Sequence, residues 1–199
     1  DGKRLLIFTN SRRVWRQNTR GDYWVLDLET YDLWQIGADR PETSLMCAKF
    51  DPAGQRVGYV SEHDVFVEDI GSGSVVRLTH DGSGTLINGT FDWVYEEEFF
   101  ARDGFRWSPD GASIAFWQLD AEGVRHLLMI NNTDSVYSYP RPVEYPKPGG
   151  TNSAARVGVV SSAGGETTWC DVPGDMRDIY SPRMEWSGNS DEIVIQRMN

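Results

Sequence analysis

Short runs of β-branched and aromatic residues alternate with clusters of turn residues along the whole chain. Residues 23–28 and 33–36 form one such pair of runs, separated by the turn-forming residues 29–32. Residues 64–69 and 75–78 form a second pair around a cluster of glycine and serine. Runs of this length and composition, bounded by turn residues, are typical of β-strands joined as hairpins. The pattern therefore predicts an all-β fold.

One longer sequence motif, here called the phrase, recurs along the chain between these hairpins. It consists of an aromatic residue that ends a strand, a turn, and a second strand of small and β-branched residues. Copies begin at Phe50 and Trp107, a weaker copy begins at Trp186, and Asp1-Gly2 matches the later part of the phrase. Proline presets the backbone for a turn and glycine supplies a positive φ, so each copy predicts a hairpin. The predicted turns are Pro52–Gly54, Pro109–Gly111 and Gly188–Ser190.

Each repeat offers about four short strands over roughly 50 residues, a period typical of β-propeller blades. The predicted architecture is a partial β-propeller of several four-stranded antiparallel blades, and a β-sandwich is the alternative fold. So few blades would leave strand edges unpaired. We therefore expect the chain to belong to a longer polypeptide or to complete its sheets with a second copy.

The segment 137–150 departs from this pattern because it contains four prolines, Pro140, Pro142, Pro146 and Pro148. Proline has no N–H to donate to a central β-ladder. We expect an extended excursion on the surface.

Composition narrows the classes of function. The chain carries 30 Asp and Glu against 19 Lys and Arg, a formal net charge of −11. Such a surface repels phosphate backbones and anionic lipids, so neither nucleic acid nor a membrane surface is an expected partner. No apolar run approaches the roughly 20 residues needed to span a bilayer. The two cysteines, Cys47 and Cys170, match no metal-binding spacing and could pair with each other.

The most conspicuous candidate for chemistry is the acidic and aromatic segment 88–100. Its side chains Glu96, Glu97 and Glu98 are consecutive, and neighbouring side chains point to opposite faces of a strand but diverge by only about 100° on a helix. Two of these glutamates can therefore converge on one ligand only if the segment forms a short helix or turn. Asp92 is a suitable N-cap residue for such a helix. A solvated, acidic helix start is the alternative interpretation.

Several motifs resemble those of a known family. Residues 92–99, Asp-Trp-Val-Tyr-Glu-Glu-Glu-Phe, together with Phe-Arg-Trp-Ser-Pro-Asp-Gly at 105–111, resemble the acidic signature in the N-terminal β-propeller of dipeptidyl peptidase IV-type serine exopeptidases. Val-Trp-Arg-Gln at 14–17 resembles the family's Trp-Arg segment, and residues 145–152 resemble its Tyr-Pro-Lys phrase and the loop that follows. These motifs occur in the family's order.

The resemblance implies an eight-bladed propeller that caps an α/β-hydrolase domain, in enzymes that remove N-terminal dipeptides with Pro or Ala second. It implies that Glu97 and Glu98 bind the substrate's free α-ammonium group, and that Arg16 holds a carbonyl of the first substrate residue or braces the glutamates. The electrostatics agree, because a cation between two carboxylates relieves their repulsion and forms charge-assisted hydrogen bonds. We expect Glu96 to point elsewhere, since three successive helical positions cannot share one focus.

Residues 1–199 contain no Gly-x-Ser-x-Gly nucleophile motif. We therefore expect a fragment of the N-terminal propeller that is inactive by itself, lacks the α/β-hydrolase domain, and uses no cofactor or metal. Its expected partners are a peptide substrate with a free N-terminus, the missing hydrolase domain and a second copy in a homodimer. By resemblance, the parent protein would be extracellular, periplasmic or membrane-anchored. The alternative function is a non-catalytic propeller that binds other proteins.

Overall fold

The computed structural model describes residues 2–199, whose regular secondary structure consists of antiparallel β-strands and one short helix. Asp1, the first residue of the opening phrase, lies outside the described residues. In chain order the elements are β1 (Arg4–Arg13), β2 (Asn18–Asp27), β3 (Leu33–Ile36), β4 (Leu45–Phe50), β5 (Arg56–Ser61), β6 (Asp64–Asp69), β7 (Val75–Arg77), β8 (Leu86–Asn88), α1 (Trp93–Phe99), β9 (Phe105–Trp107), β10 (Ser113–Asp120), β11 (His126–Asn131), β12 (Tyr139–Glu144), β13 (Ala154–Ser161), β14 (Thr168–Trp169), β15 (Tyr180–Trp186) and β16 (Ile193–Met198). Within the described residues, no helix has the length and apolar character needed to cross a membrane.

Strands β4 to β7 form the four-stranded antiparallel unit that the repeat predicts, each strand pairing with the next along the chain. The β4–β5 hairpin turns at Pro52–Gly54, where the buried carboxylate of Asp51 pairs with the Arg56 guanidinium at 3.0 Å. The Pro109–Gly111 turn joins β9 to β10, and Gly188–Ser190 lies between β15 and β16. All three predicted hairpin turns are confirmed.

The strands before β4 and the last two strands, β15 and β16, do not form simple four-stranded units. β2 is longer than its hairpin partner β3, so Arg20 and Gly21 of its free edge pair with Met46 and Leu45 of β4. This short pairing joins β1 to β7 in one seven-stranded sheet. β15 and β16 pair only with each other among the described strands. The uniform four-stranded pattern is therefore confirmed for β4–β7 but does not describe these two groups.

The next sheet contains a strand that is interrupted by an excursion of the chain. β8 pairs with residues 118–120 of β10 and β9 with residues 114–116, so the two strands lie end to end along one edge. β13 and β14 extend the sheet from the opposite edge. Between β8 and β9, residues 89–104 leave the sheet and carry α1.

Gly89 and Gly104 close the neck of this excursion. The Gly104 N–H donates to the Gly89 carbonyl at 3.1 Å, and both glycines hydrogen-bond the backbone of Trp117. A Cβ atom on Gly104 would lie 2.5 Å from the Gly89 carbonyl carbon. Two backbones therefore meet at a point that has no room for a side chain.

β11 and β12 form a separate two-stranded ribbon inserted between β10 and β13, where the prolines predict a surface excursion. The Tyr145 N–H donates to the Arg125 carbonyl at 3.0 Å. Because N–H direction alternates along a strand, odd-numbered residues of β12 face β11, and the nitrogens of Pro140 and Pro142 face away. This parity explains how a strand with two prolines is paired: the excursion is exposed, as expected, but it is a regular hairpin.

Apolar residues of neighbouring sheets share the same core clusters. Val60 of the first sheet packs in one cluster with Phe116 of the second. Trp117, the next residue along β10, packs in another cluster with Met184 of β15. Alternation along β10 therefore places successive aromatic side chains in the cores on its two faces.

The two cysteines do not form a disulfide, and both are free thiols. Cys47 is held in β4, where its Sγ donates to the Arg102 carbonyl at 3.3 Å. Burial raises the pKa of the Cys47 thiol to about 12, so it stays protonated at neutral pH.

We predict that Gly104→Ala lowers the free energy of unfolding by about 2 kcal/mol or more, because the added Cβ collides with the Gly89 backbone. Urea denaturation measures the change. Gly84→Ala is the matched control, since a Cβ there meets no atom within 4 Å. Equal stability of the two variants would contradict the crowded neck.

Candidate functional site

The acidic segment forms a helix because Asp92 caps it, as the sequence predicts. α1 begins after Asp92, whose Oδ1 accepts a hydrogen bond from the Tyr95 N–H at 2.9 Å. The Ser153 hydroxyl donates to the other carboxylate oxygen at 2.6 Å. Burial raises the pKa of Asp92, and these two hydrogen bonds act against that rise. The helix ends at Phe100, which adopts a left-handed backbone conformation with φ 56°.

Tyr95 anchors the buried side of α1. Its ring stacks on Phe91 with centroids 5.5 Å apart, and its hydroxyl accepts a hydrogen bond from the Ser181 N–H at 3.0 Å. The Trp117 indole donates to the carbonyl of the same Ser181 at 2.7 Å. Burial raises the pKa of Tyr95, so its hydroxyl remains neutral. The orientation of α1 is therefore set by contacts with β10 and β15.

The three consecutive glutamates have three different environments. Glu96 is buried, and its Oε1 lies 3.8 Å from the Arg102 Nε. Burial raises the Glu96 pKa, while Arg102 lowers it. Glu97 is half-buried and pairs with Arg16, and Glu98 is exposed and makes no hydrogen bond or ion pair with any described residue. Glu96 therefore points away from the other two, as the helical spacing predicts.

Arg16 reaches Glu97 from the connection between β1 and β2. A hydrogen bond from the Val14 N–H to the Gln17 carbonyl, 3.0 Å long, closes this connection into a tight turn. Nη2 of Arg16 lies 2.6 Å from Oε1 of Glu97, although the Arg16 side chain is 76% exposed. An ion pair this exposed contributes little to stability. The ion pair matters because it brings two distant parts of the chain together at one site.

The structure thus brings two of the three predicted site residues together. Arg16 and Glu97 are in contact, while Glu98 stands beside them on the next helical position without a contact to either. Glu97 is partly accessible, and Glu98 is exposed to solvent. This arrangement can offer carboxylate oxygens to a cation that approaches from solvent.

Sequence reasoning missed the residues that hold the end of α1. Arg102 pairs with Glu96, and its carbonyl accepts the hydrogen bond from Cys47 of β4. Asp103 forms an ion pair with Lys49 of β4, and Lys49 also donates to the Phe105 carbonyl at 2.8 Å. None of these residues belongs to a local motif. Ser153, which braces the cap, could have been suspected only because it directly follows the 145–152 phrase.

The described residues contain no group of three or more His, Cys, Asp or Glu side chains that could hold a metal ion.

Comparisons with known proteins place these features in context. The model of the dipeptidyl peptidase IV (DPP IV) N-terminal region matches residues 1–199. Dipeptidyl aminopeptidase B of Saccharomyces cerevisiae is 32% identical over 201 residues, which cover 98% of this chain and 24% of the yeast protein. Inactive dipeptidyl peptidase 10 of Mus musculus is 27% identical, covering 98% of this chain and 25% of the mouse protein.

The crystal structure of Porphyromonas gingivalis dipeptidyl peptidase 4 matches this fold with a TM-score of 0.90 and 29% identity. The match covers 100% of this chain and 28% of the bacterial protein. The chain therefore spans about a quarter of the length of the relatives that it matches.

We predict that Asp92→Ala lowers the free energy of unfolding by about 1–2 kcal/mol, whereas Asp92→Asn retains the stability because its amide oxygen still caps α1. Because burial raises the folded-state pKa of Asp92, the wild type should lose stability relative to Asp92→Asn as pH rises above the ordinary value of about 3.9 and through the raised pKa. Urea titrations at several pH values measure both effects, with the exposed Asp171→Asn as the control. Equal losses in the alanine and asparagine variants would show that the cap does not hold the helix.

Proposed function

The chain belongs to the dipeptidyl peptidase IV family, and from this premise we propose that it forms the part of a serine dipeptidyl peptidase that binds the N-terminus of the substrate. The reaction proposed for the whole enzyme is the release of N-terminal dipeptides with Pro or Ala as the second residue. The Arg16–Glu97 ion pair beside Glu98, which has no partner among the described residues, is the observation that carries this proposal.

The chemistry of a free α-amino group fits this arrangement. Its pKa of about 7.7–8.0 leaves it largely protonated at neutral pH, with three N–H donors. Arg16 occupies one side of the Glu97 carboxylate, so the ammonium group takes the remaining lone pairs of Glu97 together with Glu98. A blocked amine offers no such charge and leaves both carboxylates without their ligand. The site therefore selects peptides by the presence of a free N-terminus.

A fixed N-terminus also determines which bond is cut. Successive residues of an extended peptide advance by about 3.3–3.6 Å, so holding the first residue places the second peptide bond at a set distance from the glutamates. Correct placement of reacting groups lowers the barrier without any chemistry by the binding residues. In this proposal an α/β-hydrolase domain, with a serine nucleophile, supplies the bond cleavage. The strands described here are then a portion of an eight-bladed propeller that caps that domain.

A non-catalytic interaction module is the second candidate. The similarity to the inactive mouse dipeptidyl peptidase 10 supports this second candidate, because a relative named as inactive matches 98% of this chain, just as the yeast dipeptidyl aminopeptidase B does. Hydrolysis by the full-length protein separates the two candidates.

The proposal includes a homodimer, supported by apolar side chains on the β11–β12 ribbon and its tip. Leu128, Ile130, Val136 and Tyr137 are between 65% and 95% exposed. We predict that Leu128→Asp combined with Ile130→Asp converts the full-length protein from dimer to monomer, because charge on this surface is costly to bury. Light scattering measures the mass. Tyr31→Asp, at an equally exposed position outside the ribbon, should leave the dimer intact, and a monomeric wild type would refute this partner.

We predict that Glu97→Gln and Glu98→Gln in the full-length protein each lower kcat/KM for dipeptide p-nitroanilides by about 10- to 100-fold, because each variant removes a negative charge that strengthens the hydrogen bond to the substrate ammonium group. Wild-type kcat/KM should also fall as pH rises past about 8, when the substrate amine loses its proton.

Glu42→Gln is the matched control, since Glu42 is exposed and lies outside the site. An N-acetylated substrate should be hydrolysed poorly by every variant. Wild-type kcat/KM in a Glu97→Gln, Glu98→Gln double variant would overturn the assignment, and the acidic run would then be a solvated helix start.

A further inference from the structure

A large cavity lies next to the Arg16–Glu97 pair and has no role in the proposed amine site. It has a volume of about 700 Å³ and is bounded by the β1–β2 connection, α1 and the β11–β12 ribbon. Its lining includes three aromatic residues, Trp15, Trp93 and Tyr145, and three arginines, Arg13, Arg16 and Arg141, and its other lining residues are aliphatic or uncharged polar ones. The Trp93 and Tyr145 rings are in contact, with centroids 4.4 Å apart, so the ribbon rests on α1 at the base of the cavity.

The cavity and the amine site share one wall. Arg16 lines the cavity and also pairs with Glu97. Trp93 and Glu97 are four residues apart on α1, so they lie on the same face of the helix, one turn apart. A group bound at Glu97 therefore has the cavity directly beside it, along the helix surface.

The charge of this cavity is opposite to that of the protein as a whole. The chain has a net charge of −11, yet among the described residues three arginines and no carboxylate line the cavity. The guanidinium groups of Arg13 and Arg141 make no hydrogen bond or ion pair within the described part of the chain. Asp134 is the acidic group that both of them influence, and its carboxylate is already hydrogen-bonded by Asn131 and Thr133. Two cations thus line the cavity without a direct ion pair to any described residue.

We propose that this cavity binds the side chain of the substrate's first residue and favours an acidic one, Asp or Glu. The inference rests on the proposed function, because the ammonium group held at Glu97 and Glu98 belongs to the same Cα atom as that side chain. The methylene groups of the side chain pack on Trp93, and its carboxylate meets Arg13 and Arg141, whose planar guanidinium groups bind carboxylates in a fork geometry.

The test compares two isosteric substrates of the full-length protein, the p-nitroanilides of Glu-Pro and Gln-Pro. The Glu and Gln side chains have the same length and nearly the same shape. The ratio of the two kcat/KM values therefore reports the effect of the charge on the first side chain. We expect a preference for Glu-Pro of about fivefold at low salt, falling as ionic strength rises, since the arginines are partly exposed.

The double variant Arg13→Gln, Arg141→Gln should reduce this ratio to about one, because it lowers kcat/KM for Glu-Pro more than kcat/KM for Gln-Pro. Arg12→Gln, an exposed arginine beside Arg13 on β1 that does not line the cavity, should keep the fivefold preference. A wild-type ratio of one, or a ratio that survives the double variant, would overturn the proposal.

The Glu97→Gln variant shows whether the acidic subsite alone is wrong or the amine site is wrong as well. If Glu97→Gln weakens both substrates while the wild-type ratio is one, the amine site stands and the acidic subsite is wrong. If Glu97→Gln changes neither substrate, the proposed function itself is wrong. Should the full-length protein hydrolyse neither substrate, calorimetric Kd values for the Glu-Pro and Gln-Pro dipeptides give the same ratio with the same variants.

Discussion

The backbone contact between Gly89 and Gly104 is the constraint on which the site depends. β8 and β9 continue one another along the edge of β10, so the chain must leave the sheet and return to almost the same point. Only two glycine backbones can approach this closely, with a single hydrogen bond of 3.1 Å across the neck. The excursion that carries α1 is thereby attached to a continuous sheet at both ends, which gives a seven-residue helix a rigid base.

A helix of this length is not stable by itself, so the fold supplies its stability through contacts with several strands. Asp92 and Ser153 hold its start, Tyr95 fixes its buried side to β15, and the residues after Phe99 are tied to β4. Two buried carboxylates, Asp92 and Glu96, are retained where burial opposes their charge, because hydrogen bonds or an arginine offset part of that cost. Glu97 and Glu98 then reach solvent from a helix whose position is set.

The sequence predicted the local features of this molecule well. The three Pro/Asp/Gly turns, the hairpins between them and the Asp92 cap each depend on residues that are close together in the chain, so their chemistry is visible in a short window. It failed where pairing is not local. Nothing near residue 20 indicates that the long strand β2 also meets β4. The prolines of β12 predicted an extended excursion on the surface, but not the β11–β12 hairpin that their parity allows.

The sequence by itself determined the all-β class, the turns, the capped helix and the divergence of Glu96 from Glu97, because backbone geometry and helical spacing act over a few residues. The family resemblance suggested that Arg16 lies near the glutamates, but tertiary structure decided its contact with Glu97. Tertiary structure alone decided that Arg102 and Lys49 hold the end of α1, and that the ribbon borders a cavity lined by three arginines beside them. Those contacts join residues tens of positions apart. Their partners are chosen by how whole sheets pack on one another, and no short sequence window contains that information.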